Sequence, residues 1–373
     1  MDATGRGAAG GTDSGAAMRI AILSTIAWRT PPRAYGPWEQ VASSVAEGLV
    51  ARGHEVTLFA TADSRTAGRL ESVAPRGYEE DASLDVKVYE ALHIARAMEQ
   101  AERFDLIHNH FDFLPLAWSR RISTPLLTTI HGFSSPSIKA VYREYDGDAF
   151  YVSISDGDRD PTLTYVATVH NGIRLDDFAF RSEPGDYAVV LGRIHRDKGV
   201  HLAIRAARAA GVRLVIAGIV QDRDYYRDEV EPHVDGRSVR FVGPVGPADR
   251  DRLLGGALAL LHLVTFEEPF GLAMVEAMAC GTPVIATRRG AVPEIVADDE
   301  TGFIVPDVGA AARALVDVRG LDRARCRAAV EERFTVDRMV DRYEAVYQRV
   351  IQTWHARRAA GEPRVADVRL RPE

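Results

Sequence analysis

Two glutamates, Glu268 and Glu276, stand eight positions apart in the segment 266–286, FEEPFGLAMVEAMACGTPVIA. Glu268 lies in a loop with Gly271, and Glu276 follows about one turn into a stretch of helix-forming residues. The first turn of a helix carries unpaired N–H groups and about half a unit of positive charge, which suits a phosphate. Carboxylates beside it accept hydrogen bonds from hydroxyl groups. The segment therefore predicts a nucleotide-sugar site, although a helix-capping Glu268 and a solvent-facing Glu276 would give the same pattern.

Three further residues follow predicted strands directly, at the sheet edge where parallel strands place ligands. Arg193 and Lys198, five positions apart, come after one strand, and His131 comes after another. Two cations suit a diphosphate, because each charge-assisted hydrogen bond contributes about 1.5–3 kcal/mol. The alternatives are surface charges for the cations and a structural role for the histidine. His108 and His110 end a third strand without metal spacing, so we expect them behind the site or facing an acceptor.

Strands alternate with helices along the chain, which predicts parallel sheets covered on both faces. The alternation stops in the polar segment 181–186 and restarts at 187, and one helix is expected at 225–234. This pattern predicts two Rossmann-like α/β domains facing a central cleft. The predicted parts are a disordered leader (1–17), an N-terminal acceptor-side domain (18–180), a C-terminal nucleotide-sugar-binding domain (187–335), a C-terminal helix (336–356) and a flexible tail (357–373).

Composition narrows the partners. The formal net charge of -7 disfavours nucleic acid, whose phosphates normally meet a basic surface. No apolar run reaches the roughly 20 residues that span a bilayer, so no transmembrane segment is expected. The first 17 residues also lack the apolar segment of a secretory signal. Cys280 and Cys326 have no metal-ligand spacing, and we expect reduced thiols of a cytoplasmic protein, with Cys280 in the core. The sequence indicates no oligomeric state.

Five motifs occur in order: RGHEVTLF at 52–59, IHGF at 130–133, HNGI at 170–173, LGRIHRDKG at 191–199, and the E-x7-E pattern of Glu268 and Glu276. With them the chain resembles the retaining glycosyltransferases of family 4, which have the GT-B fold, over roughly residues 18–350. The resemblance implies transfer of a hexose from a nucleoside diphosphate sugar to a hydroxyl acceptor, with retention at the anomeric carbon. A UDP-sugar is the first expectation for the donor and GDP-mannose the second.

The resemblance also implies roles for single residues. Arg193 and Lys198 match the basic pair that binds the donor pyrophosphate, and Glu276 matches the carboxylate that binds the ribose hydroxyls. Glu268 matches the carboxylate near the transferred sugar. His131 matches the histidine that contacts this sugar close to the reacting carbon.

Backbone groups complete the implied donor site. N–H groups around Phe270, Gly271 and Leu272 are expected to hold sugar hydroxyls and phosphate. Relatives usually carry two adjacent glycines before the first helix, where this chain has Gly36 and Pro37. Proline has no N–H, so one presumed donor is missing, but Gly36 can still approach the phosphate and Pro37 can start the helix.

The resemblance implies no essential metal. The DGD triplets at 146–148 and 156–158 resemble metal-binding motifs of another glycosyltransferase architecture, but we expect loop residues. Glu267 is expected to be exposed and without a role. Trp28 and Trp38 are expected either to stack on an acceptor or to pack in the fold. Two other functional hypotheses stay open: a nucleotide-sugar epimerase of the same fold and a non-catalytic nucleotide-sugar-binding protein.

Overall fold

The computed structural model describes residues 17–360. The predicted leader, apart from Ala17, and the predicted tail beyond residue 360 lie outside the described residues. Within the described part of the chain no helix is both long enough and apolar enough to cross a membrane.

The first sheet has seven parallel strands in the order β3-β2-β1-β4-β5-β6-β7. Alternate side chains of one inner strand (Arg19–Leu23) enter two different cores: Ile20 and Ile22 pack on one face, and Ala21 and Leu23 pack on the other. Both faces are therefore covered, which explains why the strand is apolar throughout. The strands are β1 (Arg19–Leu23), β2 (Glu55–Phe59), β3 (Arg69–Glu71), β4 (Leu106–Asn109), β5 (Leu126–Ile130), β6 (Phe150–Ser153) and β7 (Tyr165–Thr168).

The second sheet has six parallel strands in the order β10-β9-β8-β11-β12-β13. It is built in the same way, because Val189 and Leu260 enter one core while Val190 and Leu261 enter the other. The predicted fold class, two Rossmann-like α/β sheets, is confirmed. The strands are β8 (Tyr187–Leu191), β9 (Arg213–Ala217), β10 (Val239–Gly243), β11 (Ala259–His262), β12 (Val284–Thr287) and β13 (Gly302–Val305).

Helices connect the strands. Pro37 is the first residue of α1, as its fixed φ allows at a helix start. The α-helices are α1 (Pro37–Ala51), α2 (Val86–Met98), α3 (Lys139–Glu144), α4 (Val200–Ala210), α5 (Arg223–Tyr225), α6 (Pro247–Gly255), α7 (Leu272–Ala279), α8 (Val292–Ile295), α9 (Val308–Asp317), α10 (Arg323–Arg333) and α11 (Val336–Ala359).

The continuous helix predicted at 225–234 is wrong. The chain instead forms α5, one wide turn at Tyr226–Val230 and a 3₁₀ turn at Glu231–His233. Pro232 lies in the last turn, where it has no N–H to continue an α-helical ladder.

Helix α11 returns from the second sheet to the first. Met339, Tyr343 and Tyr347 are buried in the same core as Ile20 and as Val45 of α1. The helix runs to Ala359, three residues beyond the predicted end at 356. The domain boundaries at 180 and 187 stay a prediction; in the structure β7 ends at Thr168 and β8 begins at Tyr187.

Candidate active site

A cavity of about 1380 Å³ lies between the two sheets and is lined from both. His131 comes directly after β5, and Arg193 comes two residues after β8, so strand ends deliver side chains to it. All nine residues predicted for the site line this cavity: Gly36, His131, Arg193, Lys198, Glu268, Phe270, Gly271, Leu272 and Glu276.

Glu268 is buried and paired on one oxygen by two partners. Its Oε2 lies 2.7 Å from Nζ of Lys198 and 2.9 Å from Nε2 of His262. Burial raises the pKa of this carboxyl, but the hydrogen bond from His262 and the charge of Lys198 outweigh burial and lower the pKa to about 2. Glu268 is therefore an anion at neutral pH. Residue types along the chain gave no indication of His262, which ends β11.

The two cations are not free surface charges. The side chain of Lys198 is 17% exposed and that of Arg193 is 25% exposed. Lys198 also lies 4.6 Å from the ring centre of Phe266, a cation–π contact. Arg193 donates a hydrogen bond to Oε1 of Gln221. The surface-charge alternative is wrong, because both cations line the cavity from the loop between β8 and α4.

Helix α7 begins at this cavity with Gly271 as its N-cap residue. Gly271 has φ 89°, and a Cβ there would lie 2.5 Å from Cε of Met274, so only glycine fits without strain. No side chain of the described residues caps this helix start, and its first N–H groups remain for a ligand. Phe270 is buried against the rings of His170 and Phe334, which fixes the approach to the helix.

Glu276 does not face solvent, so that alternative is also wrong. Only 7% of this residue is exposed, and its Oε1 lies 3.0 Å from Nη1 of Arg250 on α6. Burial raises the pKa of Glu276, and Arg250 opposes the rise. Arg250, which also lines the cavity, was not predicted.

His131 is buried and stacks on Trp38, with ring centres 5.4 Å apart and an angle of 21°. Trp38 therefore packs within the fold on one face. Burial lowers the pKa of His131 to about 3, so the imidazole is neutral at neutral pH. The next residue, Gly132, has φ 113°, and a Cβ there would lie 2.7 Å from Cγ of Pro269. Glycine thus lets the loop after β5 approach the Glu268 loop.

A chain of histidines runs from His131 into the protein. His131 Nε2 lies 2.9 Å from Nδ1 of His110, and His110 Nε2 lies 3.2 Å from Nδ1 of His108. The same Nδ1 lies 2.6 Å from the hydroxyl of Tyr347, and Nε2 of His108 lies 2.7 Å from Thr129 Oγ1. Of the two alternatives for His108 and His110, facing an acceptor is wrong, because both side chains are fully buried and lie behind His131.

Nδ1 of His108 carries either one lone pair or one N–H, so it makes a full hydrogen bond with only one of its two neighbours. The hydroxyl of Tyr347 is the nearer neighbour, at 2.6 Å against 3.2 Å for Nε2 of His110. Nδ1 of His131 takes no part in this chain, and His131 lines the cavity, so this nitrogen is suited to a hydrogen bond with a substrate hydroxyl.

Gly36 lies just before α1 with φ 144°. A Cβ there would lie 2.9 Å from Oε2 of Glu39, which is buried and accepts hydrogen bonds from the hydroxyl of Thr25 and the N–H of Trp28. Glu39 therefore braces the loop that precedes α1. Trp28 packs edge-on against Tyr35, with the two ring centres 6.3 Å apart.

Residues outside the site are mostly structural. Glu267 is exposed as expected, but it also accepts the N–H of Gly290 at 2.6 Å and pairs with Arg289 at 3.0 Å. Cys280 and Cys326 are free and buried, Cys280 in the core as predicted. Within residues 17–360 no group of three or more His, Cys, Asp or Glu side chains could hold a metal ion. This finding covers the two DGD triplets as well.

Two Rossmann-like sheets facing one cleft, with cations, carboxylates and an open helix start at its edges, define the GT-B class of nucleotide-sugar enzymes. Two family models match the chain: "Glycosyltransferase Family 4" over residues 39–157 and "Glycosyl transferases group 1" over residues 175–318. Together they cover more than half of the sequence, and the chain belongs to glycosyltransferase family 4. It is therefore an enzyme that uses a nucleotide-sugar donor, in a family of retaining hexosyltransferases.

Curated relatives are similar over most of their length. A glycogen synthase of Mycobacterium tuberculosis is 28% identical over 385 residues, which covers 86% of this chain and 91% of the relative. A D-inositol 3-phosphate glycosyltransferase of Mycolicibacterium smegmatis is 28% identical over 422 residues, covering 93% and 94%.

Solved structures share the fold. A sucrose-phosphate synthase of Thermosynechococcus elongatus has a TM-score of 0.73 at 20% identity, covering 90% of this chain and all of that one. HepE of Anabaena, solved with UDP and glucose, has a TM-score of 0.69 at 19% identity, covering 89% and 99%.

Proposed function

We propose that this enzyme transfers a hexose from a UDP-sugar to a hydroxyl acceptor, with retention at the anomeric carbon. One observation carries the proposal: Lys198, Arg193, Glu268 and the start of α7 line a single cavity at the ends of the strands. Uridine is the preferred base because HepE, a neighbour in fold, was solved with UDP-glucose and with UDP. Free thiols at Cys280 and Cys326 are consistent with a reducing, cytoplasmic location.

Each residue has a proposed role in binding the donor. Arg193 and Lys198 hold the pyrophosphate together with the N–H groups that follow Gly271, and Glu276 accepts the ribose hydroxyls. Glu268 accepts a hydroxyl of the transferred sugar while its other partners keep it ionised. His131 forms a hydrogen bond with a further sugar hydroxyl through Nδ1.

The proposed reaction breaks the bond between the anomeric carbon and the diphosphate oxygen. The acceptor oxygen bonds to the same face of that carbon, and its proton passes to the leaving phosphate. Negative charge grows on this phosphate in the transition state, so the cations and the helix start lower the barrier electrostatically. Closure of the cleft would exclude water and limit hydrolysis of the donor. We propose that no metal is essential.

A panel of nucleotide sugars, screened by calorimetry, tests the donor. Arg193→Ala should weaken donor binding about 10- to 150-fold, the equivalent of a charge-assisted hydrogen bond. Glu276→Ala should weaken UDP-sugar binding more than binding of inorganic diphosphate. Arg319→Ala, an exposed arginine outside the cavity, is the matched control and should bind normally.

Turnover assays separate this proposal from its rivals. Release of UDP that requires an acceptor and persists in EDTA supports transfer without a metal. Conversion of one nucleotide sugar into another without an acceptor would show an epimerase instead. Near-normal turnover in both the Arg193→Ala and Glu276→Ala variants would refute the assigned site.

A further inference from the structure

The half of the cavity formed by residues 25–171 is lined by more carboxylates than cations. Among the described residues that line this half, the charged ones are Arg33, Glu39, Glu90 and Asp112. The charge of Arg33 is paired by two other acids, because its guanidinium lies 2.8 Å from Glu80 and 3.2 Å from Asp63. The opposite half holds the cations proposed to bind the diphosphate. Glu39 is buried and accepts hydrogen bonds from Thr25 and Trp28, so the acidity of the half beyond the donor comes from Glu90 and Asp112.

Asp112 is held in place by several contacts. Its Oδ1 accepts a 2.7 Å hydrogen bond from the hydroxyl of buried Tyr142. Its backbone has φ 87°, and Asn109 holds this turn with hydrogen bonds to the carbonyl of Asp112 and from the N–H of Phe111, both 2.8 Å. Burial raises the pKa of Asp112 to about 6, so the group is mainly ionised at neutral pH.

Aromatic rings and an unpaired amide line the same half. The rings of Trp28 and Phe113, which are only partly buried, offer apolar faces of the kind that pack on the C–H faces of a sugar ring. Asn171 is 97% buried and lines the cavity, and its Oδ1 has no hydrogen-bond partner in the part of the chain that the structure describes. A buried oxygen of this kind can accept a hydrogen bond from a donor such as a ligand hydroxyl.

We propose that this half of the cavity binds a hydroxyl-rich acceptor, a sugar or polyol, that carries no phosphate or carboxylate. Asp112 accepts one of its hydroxyl groups. The proposal rests on the proposed function and narrows its acceptor. It also separates this chain from the curated relatives named for inositol 3-phosphate, whose acceptor is an anion.

Matched ligand pairs test the charge preference. The protein is first saturated with UDP, so that phosphate groups cannot occupy the Arg193 and Lys198 site. Binding is then measured by saturation-transfer NMR for two pairs: glucose with glucose 6-phosphate, and myo-inositol with its 3-phosphate. We expect each phosphorylated member to bind at least about tenfold more weakly than its neutral partner at low salt, because like charges repel.

An Asp112→Asn variant tests whether the charge of Asp112 causes the preference for neutral ligands. Asparagine tolerates the same backbone conformation and can still accept from Tyr142, so the fold should be kept. The variant should narrow the gap between neutral and phosphorylated ligands, whereas Glu102→Gln, an exposed acid outside the cavity, should leave it unchanged.

Three results would overturn the inference: equal or tighter binding of the phosphorylated members, binding of none of the neutral members, or an unchanged gap in Asp112→Asn. Failure of every UDP-sugar to bind would instead overturn the proposed function. The two failures are thus distinguishable.

Discussion

Replacing Glu268 by glutamine should change the pH dependence of stability in a calculable way. Glu268→Gln keeps the shape of the side chain but removes the charge that pairs with Lys198 and His262. The pKa of Glu268 falls from an ordinary 4.5 to about 2 in the folded protein. At 1.36 kcal/mol for each pKa unit, this shift corresponds to about 3 kcal/mol of folding free energy at neutral pH.

The sign follows from the direction of the shift. A carboxyl whose folded pKa is depressed stabilises the protein above its unfolded pKa, and this contribution is lost as pH falls towards the folded value. The window for Glu268 therefore lies between about pH 5 and pH 2. About 1 kcal/mol of the contribution should already be lost at pH 4.

Urea denaturation of the wild type and the variant at pH 7 and pH 4 measures this loss. Other carboxylates titrate alike in both proteins, so they cancel in the difference. We expect the wild type to be more stable by about 3 kcal/mol at pH 7, and the gap to shrink by about 1 kcal/mol at pH 4. A gap that is equal at both pH values, or that widens on acidification, would refute the ion-pair reasoning.

Three other changes have defined outcomes. Gly271→Ala should cost about 1–3 kcal/mol in urea denaturation and weaken nucleotide binding, because alanine is strained at φ 89°; unchanged stability would contradict this. Tyr347→Phe should cost about 1–3 kcal/mol, since His108 loses a hydrogen bond. It should also slow sugar transfer at unchanged UDP affinity, and an equal loss of UDP affinity by calorimetry would argue against the histidine chain. Arg250→Met should cost about 3–5 kcal/mol, because Glu276 is left buried and unpaired, and a cost below about 1 kcal/mol would show that Glu276 is solvated.

Local patterns along the chain predicted the sheets and most of their strands. The sequence predicts strands at 126–130 and 187–191 and a helix at 272–279, because apolar runs and flanking glycines define them. Strands β5 and β8 and helix α7 have these limits. The three-residue edge strand β3 was not predicted, since its residues, Arg69–Glu71, are partly exposed and carry no alternation long enough to detect. The helix predicted at 225–234 does not form as one helix, because Pro232 has no N–H to continue the helical ladder.

The sequence predicted the site residues that lie in recognisable motifs. It did not predict the residues that form hydrogen bonds and ion pairs with them. Arg250 and Tyr347 become partners of site residues only when separate segments fold together; Tyr347 lies 239 positions from His108. His262 lies six positions from Glu268, but it is the last residue of a buried strand and belongs to none of the motifs. No spacing rule connects such pairs. The roles of the nine residues predicted for the site stay predictions until ligands and variants are measured.

The return of α11 to the first sheet has a consequence for biosynthesis. The helix supplies a wall of the core around Ile20, and its Tyr347 closes the chain of histidines behind the cavity. A nascent chain that has emerged only as far as β7 exposes that apolar surface to water. The first half cannot reach its final packing until residues 336–359, which form α11, have left the ribosome. A fragment expressed without α11 should therefore aggregate, and addition of the helix as a separate peptide should rescue it.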